Sequence, residues 1–172
     1  MTFGAEQDQD RPFLDRAIEN SRRSLRADST AKPFGAVVVV GGDVVADGVN
    51  SVVELSDPTA HAEVMALREA GRRLGRYAME DATLYSSSEP CPMCLVACYW
   101  ARIPRVVYGA TTRDAAAHGH EDLRFYREVA LPGAALRSLD QVPVQGAPHS
   151  AAVDVLAAWA AARPAGSVEP KL

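Results

Sequence analysis

His61-Ala62-Glu63 and, further along, Pro90-Cys91-Pro92-Met93-Cys94 put three metal-binding side chains on two separate stretches, and a fold for this chain has to bring those stretches together. Imidazole and thiolate are zinc donors. Structural zinc is closed by four protein ligands, whereas catalytic zinc keeps one position for water, so one His with two Cys is the open count. Two thiolates and a neutral imidazole make the site formally neutral, and water at the open position has its pKa lowered. Both motifs fall at expected helix starts, where unpaired N–H groups and the positive dipole end favour ionised thiolates. Glu63 need not be a ligand: two residues beyond His61, it can lie beside the open position and move protons. The bland alternative is a zinc staple in which Glu63 is only a helix-start acid.

Around these motifs the chain reads as alternating helix and strand. Residues 12–27 carry Phe13, Leu14, Ala17, Ile18, Ser21 and Leu25 at helical spacing and end at Asp28-Ser29-Thr30. A β-branched run over 34–40, the hairpin chemistry of Gly41-Gly42-Asp43 and a second strand over 44–49 predict an antiparallel pair. A polar loop is expected over 50–58, with Thr59 as N-cap of a helix over about 60–74 that Gly75 ends. A short strand over 83–86 and an apolar helix over 91–101 follow, the helix broken at Arg102-Ile103-Pro104. The strand over 105–108 should therefore be parallel to the one before it. A helical stretch over 123–129, a last strand near 136–144 and an Ala-rich helix over 151–162 complete the pattern. The order αββαβαβαβα predicts one α/β domain over 1–172, a three-layer α/β/α sandwich with a mixed five-stranded sheet. Residues 1–10 and 163–172 are expected to be flexible or partner-bound tails.

Composition removes several function classes. The 172 residues suffice for one domain with its own core, and 48% hydrophobic with 23% charged residues is ordinary for a globular chain. A net charge of -4 and the absence of a basic stripe argue against a nucleic-acid partner. No run approaches the ~18 apolar residues of a membrane span, and the acidic N-terminus is no signal peptide, so a cytoplasmic protein is expected. Three cysteines, two of them in one Cys-x-x-Cys, suit a reducing compartment. Cys98 is expected to be a small buried hydrophobe rather than a ligand.

His-x-Glu followed by Pro-Cys-x-x-Cys is the signature of zinc-dependent nucleobase deaminases. With it, the chain resembles the cytidine deaminase superfamily, and longer runs resemble its guanine deaminase branch: Pro33-Phe34-Gly35-Ala36-Val37, Asn50, Asp57-Pro58-Thr59-Ala60-His61-Ala62-Glu63-Val64, Ser88-Glu89-Pro90-Cys91-Pro92-Met93-Cys94, Tyr99-Trp100-Ala101-Arg102 and Asp114-Ala115-Ala116. The resemblance covers residues 33 to about 127. It implies one zinc per chain on His61, Cys91 and Cys94, and hydrolytic deamination in which Glu63 carries a proton from water to the ring nitrogen and then to the leaving ammonia. It also implies that Asn50 hydrogen-bonds the base, that Phe34 borders the ring, that Ala62 contributes to the substrate site and that Asp114 accepts from the purine N–H groups. An unpaired buried donor costs ~1–3 kcal/mol, so such an acceptor discriminates between bases. On the residues alone, Asp114 serves equally as a helix cap, Asn50 as an Asx turn, and Phe34 and Trp100 as core aromatics.

The implied reaction converts guanine to xanthine and ammonia, a step of purine catabolism. The alternatives are the same chemistry on guanosine, cytosine or an aminotriazine, a tRNA adenosine deaminase, and a zinc-stabilised binding module. Members of the branch are homodimers in which the C-terminal segment swaps over the partner's active site and brings an aromatic residue. This chain departs from the pattern in two places. Its last aromatic is Trp159, and the stretch 118–122 reads His-Gly-His-Glu-Asp where the branch has Gly-Phe-Asp-Asp, so that His120 replaces an aromatic. His120 is polar enough to meet a ribose or an altered ring, and equally suited to the surface.

Overall fold

The computed structural model describes residues 3–120 and 122–163, so the expected C-terminal tail beyond Arg163 lies outside the described residues. Helix α1 spans Phe3–Ser21 and runs into a 3-10 turn, Arg22–Leu25. Strands β1 (Gly35–Val40) and β2 (Asp43–Val49) form the expected hairpin, followed by a one-turn helix α2 (Val52–Leu55) in the segment expected as loop. Helix α3 (Ala62–Leu74), β3 (Ala82–Ser88), α4 (Pro92–Trp100) and β4 (Arg105–Ala110) come next. Helices α5 (Thr112–Ala117), α6 (Leu123–Ala130) and α7 (Ala147–Ala161) complete the described residues.

The sheet is mixed and four-stranded, in the order β2-β1-β3-β4, with β3 and β4 parallel and the other pairs antiparallel. β1 is buried on both sides because its alternate residues serve two cores. Ala36 and Val38 pack with Ala62, Ala66 and Ala70 of α3, Leu84 of β3 and Cys98 of α4. Val37 and Val39 pack with Ala17 of α1 and Tyr85, with Phe13 and Leu14 against them. Helices on both faces give the three layers expected from the alternating pattern.

The fifth strand expected near 136–144 does not form. Ala134–Leu136 is a 3-10 turn and the following residues are irregular, with Leu139, Val142 and Val144 exposed. Pro143 supplies no ladder N–H, and no strand among the described residues pairs with the far edge of β4. The chain divides into two compact units, Met1–Val129 and Ala130–Leu172. In the second, α7 has no buried residue, and the Arg163 guanidinium sits 3.2 Å from the centre of the Trp159 ring.

The first helix also begins well before Pro12, where the hydrophobic spacing started it. Asp10, in the segment expected as a tail, accepts hydrogen bonds from the Tyr85 hydroxyl at 2.8 Å and from the Arg105 guanidinium at 2.7 Å. The Arg105 guanidinium and the Tyr85 hydroxyl hold its carboxyl below the usual carboxylate range, while burial and Asp10 push Tyr85 up to about 12. This anchor ties the first half of α1, on the N-terminal side of Pro12, to β3 and β4.

Two glycines let helices lie directly on the sheet. A Cβ at Gly48 would stand 2.0 Å from the Ala62 carbonyl oxygen and 2.7 Å from the Ala66 nitrogen, and one at Gly35 would stand 2.3 Å from the Ala17 carbonyl. At Gly48 the neighbour is the first turn of α3, which carries Glu63. Gly48→Ala is expected to cost about 2–3 kcal/mol, read as a shift of the denaturant midpoint, and to lower zinc affinity by pushing that turn outward.

Candidate active site

His61 and Cys91 occupy the same structural position on two different helices. Each is an N-cap residue with extended backbone, His61 at φ -69°, ψ 155° before α3 and Cys91 at φ -64°, ψ 167° before α4. The expected cap Thr59 lies two residues earlier, where its N–H and hydroxyl bond the Asp57 carboxylate instead. Cys94 follows one turn into α4, with Pro92 in the first turn, where a missing N–H costs nothing.

The donor atoms converge. His61 Nδ1 lies 3.6 Å from Cys91 Sγ and 3.5 Å from Cys94 Sγ, and the two sulfurs are 3.6 Å apart. Tetrahedral zinc with Zn–S of about 2.3 Å and Zn–N of about 2.0–2.1 Å separates its ligands by about 3.5–3.8 Å, so the three residues fit the ion without rearrangement. They form the one possible metal cluster among the described residues. Hydrogen bonding from Cys94, reinforced by His61, pulls the Cys91 thiol well below the usual thiol range, and the same pairing with burial pushes Cys94 up. The Cys91 thiol raises His61 in turn. Cys98, one turn further along α4, is buried in the core cluster, and burial pushes its thiol up to about 12.

Glu63 is 5% exposed, with Oε2 3.5 Å from Cys94 Sγ, and burial raises its carboxyl above the usual range. It lines a cavity of about 300 Å³ together with His61, Cys91, Phe34 and Asn50, which joins three expected site residues to two members of the metal cluster. The volume sits at the lower end for small-molecule sites. Asn50 makes the Asx turn and also lines the cavity: its Oδ1 accepts from the N–H groups of Lys32 and Val52 at 3.5 Å each, the second closing that turn, while its amide nitrogen makes no bond among the described residues. Phe34 likewise packs against the core and borders the cavity.

Two expected substrate residues are placed elsewhere. Asp114 does not line the cavity: its Oδ2 accepts from the Thr111 N–H at 2.8 Å and from the Thr111 hydroxyl at 2.6 Å, while its own N–H bonds Thr111 Oγ1, a reciprocal capping box on α5. These bonds hold its carboxyl below the usual range. Ala62 is fully buried against the sheet and is also absent from the lining. Their place is taken by His120, which the sequence offered as a partner for a ribose or an altered ring, and by residues with no role assigned from the sequence. Asp122, Phe125 and His120 line the cavity from the segment around the start of α6, and Glu89 lines it from the loop before Cys91. The signal for Glu89 was adjacency to Pro90-Cys91; for Asp122 it was the run of polar residues at 118–122.

Glu89 and its neighbours also lock the cysteine loop. Glu89 Oε2 accepts from the Thr112 N–H at 2.9 Å, the Glu89 N–H donates to the Ala110 carbonyl at 2.8 Å, and the Tyr126 hydroxyl donates to the Pro90 carbonyl. The end of β4 and the two helices after it, α5 and α6, thus hold the segment that presents Cys91.

A deep carboxylate beside an open zinc-type donor set defines a deaminase-like centre, and comparison with known proteins agrees. Residues 7–110 match the cytidine and deoxycytidylate deaminase zinc-binding region, and the chain belongs to this family. It is 48% identical over 120 residues to the guanine deaminase of Bacillus subtilis (strain 168), covering 70% of this chain and 76% of that protein. The X-ray structure of guanine deaminase from Bacillus subtilis superposes with a TM-score of 0.83, at 40% identity, covering 94% of this chain and 98% of the other. A tRNA-specific adenosine deaminase of Aquifex aeolicus is 41% identical over 98 residues, 57% of this chain and 64% of that protein. Zinc analysis should find about one ion per chain, falling to less than about a tenth of that in Cys94→Ala and remaining near one in Cys98→Ala.

Proposed function

We propose that the chain is a guanine aminohydrolase, converting guanine and water to xanthine and ammonia. The observation that carries this reading is the buried Glu63 carboxylate at the wall of a base-sized cavity, 3.5 Å from a sulfur of the three-donor cluster. Likeness to guanine deaminase along most of both chains favours guanine over the other aminated rings.

His61, Cys91 and Cys94 would hold the zinc, which when bound lends Lewis acidity to water at the open fourth position. Glu63, whose carboxyl burial raises above the usual range, is suited to take a proton from that water and place it on the ring nitrogen beside the amine-bearing carbon, then to carry the remaining proton of the newly bound oxygen to the departing amine. Phe34 supports the ring, and the Asn50 amide N–H donates to an acceptor on the base. The acceptor role expected of Asp114 passes to Asp122, which lines the cavity and whose carboxylate is of the type to accept from N–H donors of guanine.

Glu63→Gln should retain zinc by metal analysis while losing guanine turnover by roughly 10²–10⁴-fold. Ammonia should be released from guanine and not from guanosine, cytidine or tRNA. Near-normal turnover by Glu63→Gln would remove the acid/base role, and turnover of nucleosides or tRNA alone would remove the substrate.

The same reading makes the protein one deaminase domain acting in purine catabolism in the cytoplasm, without nucleic acid or membrane, and among the described residues no helix is long and apolar enough to cross a membrane. It also makes it a homodimer in which the C-terminal segment of one chain covers the partner. The exposed Tyr99 and Trp100 of α4 and Tyr108 of β4, whose far edge pairs with no strand among the described residues, support this arrangement. Light scattering at micromolar concentration should give twice the chain mass, and a monomer there would overturn the dimer.

A further inference from the structure

His120 is held in place by its backbone. The Gly119 N–H donates to the Ala116 carbonyl at 3.1 Å and the His120 N–H to the Ala115 carbonyl at 3.0 Å, with Gly119 at φ +85°. This paired closure is the Schellman cap of α5. In such caps the residue at the His120 position commonly packs back on its own helix. Here its ring reaches Phe34 on another part of the chain, with centroids 5.0 Å apart and planes at 77°, an edge-to-face pair at the cavity wall.

A phenyl ring would complete that pair equally well, so packing alone does not account for an imidazole. The His120 ring nitrogens make no hydrogen bond among the described residues, although the residue lines the same cavity as Asn50 and Glu63. A neutral imidazole offers one donor and one acceptor. A bicyclic base bound for deamination must turn its amine-bearing ring toward Glu63, which leaves its five-membered ring to the rest of the wall.

We propose that His120 is a specificity-determining residue of this cavity, hydrogen-bonding a ring nitrogen on the five-membered ring of the purine while its ring packs against Phe34. The proposal rests on the guanine reading above. It selects bases with that nitrogen over analogues carrying carbon there, because a polar partner left unpaired in a closed site discriminates strongly.

The test compares guanine, 7-deazaguanine and 9-deazaguanine with the wild type and with His120→Phe, which keeps the aromatic contact and removes the hydrogen bond. The wild type should prefer guanine to one of the two analogues by at least about tenfold in kcat/KM. His120→Phe should raise KM for guanine about tenfold, leave kcat within about twofold, and collapse that preference to within about threefold. Zinc content should stay unchanged, which separates the effect from damage to the metal cluster. His120→Asn keeps hydrogen-bonding capacity without the ring and should retain part of the preference, so the role stays testable if the Phe variant does not fold. An unchanged KM and preference in His120→Phe, or no preference in the wild type, would overturn the role of His120 and leave guanine deamination standing. No turnover of guanine by the wild type would overturn both.

Discussion

The first turn of α3 rests on the bare backbone of β2. Gly48 leaves no side chain between them, and Ala62, Ala66 and Ala70 keep the helix flush along the sheet. Everything in the candidate site is measured from that contact, since it fixes where His61 ends its extended approach and where Glu63 enters the protein. The second half of the donor set comes from the parallel β3–α4–β4 unit, which brings the start of α4 to the same end of the sheet. Placing ligands at helix N-caps has an electrostatic benefit, because the unpaired N–H groups of each helix's first turn favour anionic sulfur next to a cation.

The layered fold and the donor set were legible in the sequence because both are short-range patterns. Alternation of β-branched runs with apolar helices defines the layers, and ligand spacing within each motif survives errors of a residue or two in the helix boundaries. The fifth strand was not legible in the same sense. Leu139, Val142 and Val144 have strand-like composition, but a strand exists only where a neighbour completes its ladder, and that is decided beyond the local segment.

Asp114 shows another limit. A carboxylate three residues after a threonine is equally a substrate acceptor or half of a capping box, and only the side-chain directions separate the two. Asp122 was hidden for the opposite reason: it stands in a segment with little helical or strand period, where pattern says least and cavity-lining residues concentrate. The start of α1 was concealed by Asp10, whose partners Tyr85 and Arg105 lie more than seventy residues away in the chain.

The cavity draws its walls from two sources with different tolerances. His61, Glu63 and Cys91 belong to helix starts bound into the core, whereas His120 and Asp122 sit on the short linker between α5 and α6, with Phe125 in the first turn of α6. The cap that ends α5 sets the linker's path through backbone bonds, so its side chains can be exchanged without disturbing the path. Reactivity and selectivity are therefore inherited on separate pieces of chain, and a lineage could trade one substrate for another by editing a handful of linker codons while the reaction itself stays out of reach of those changes.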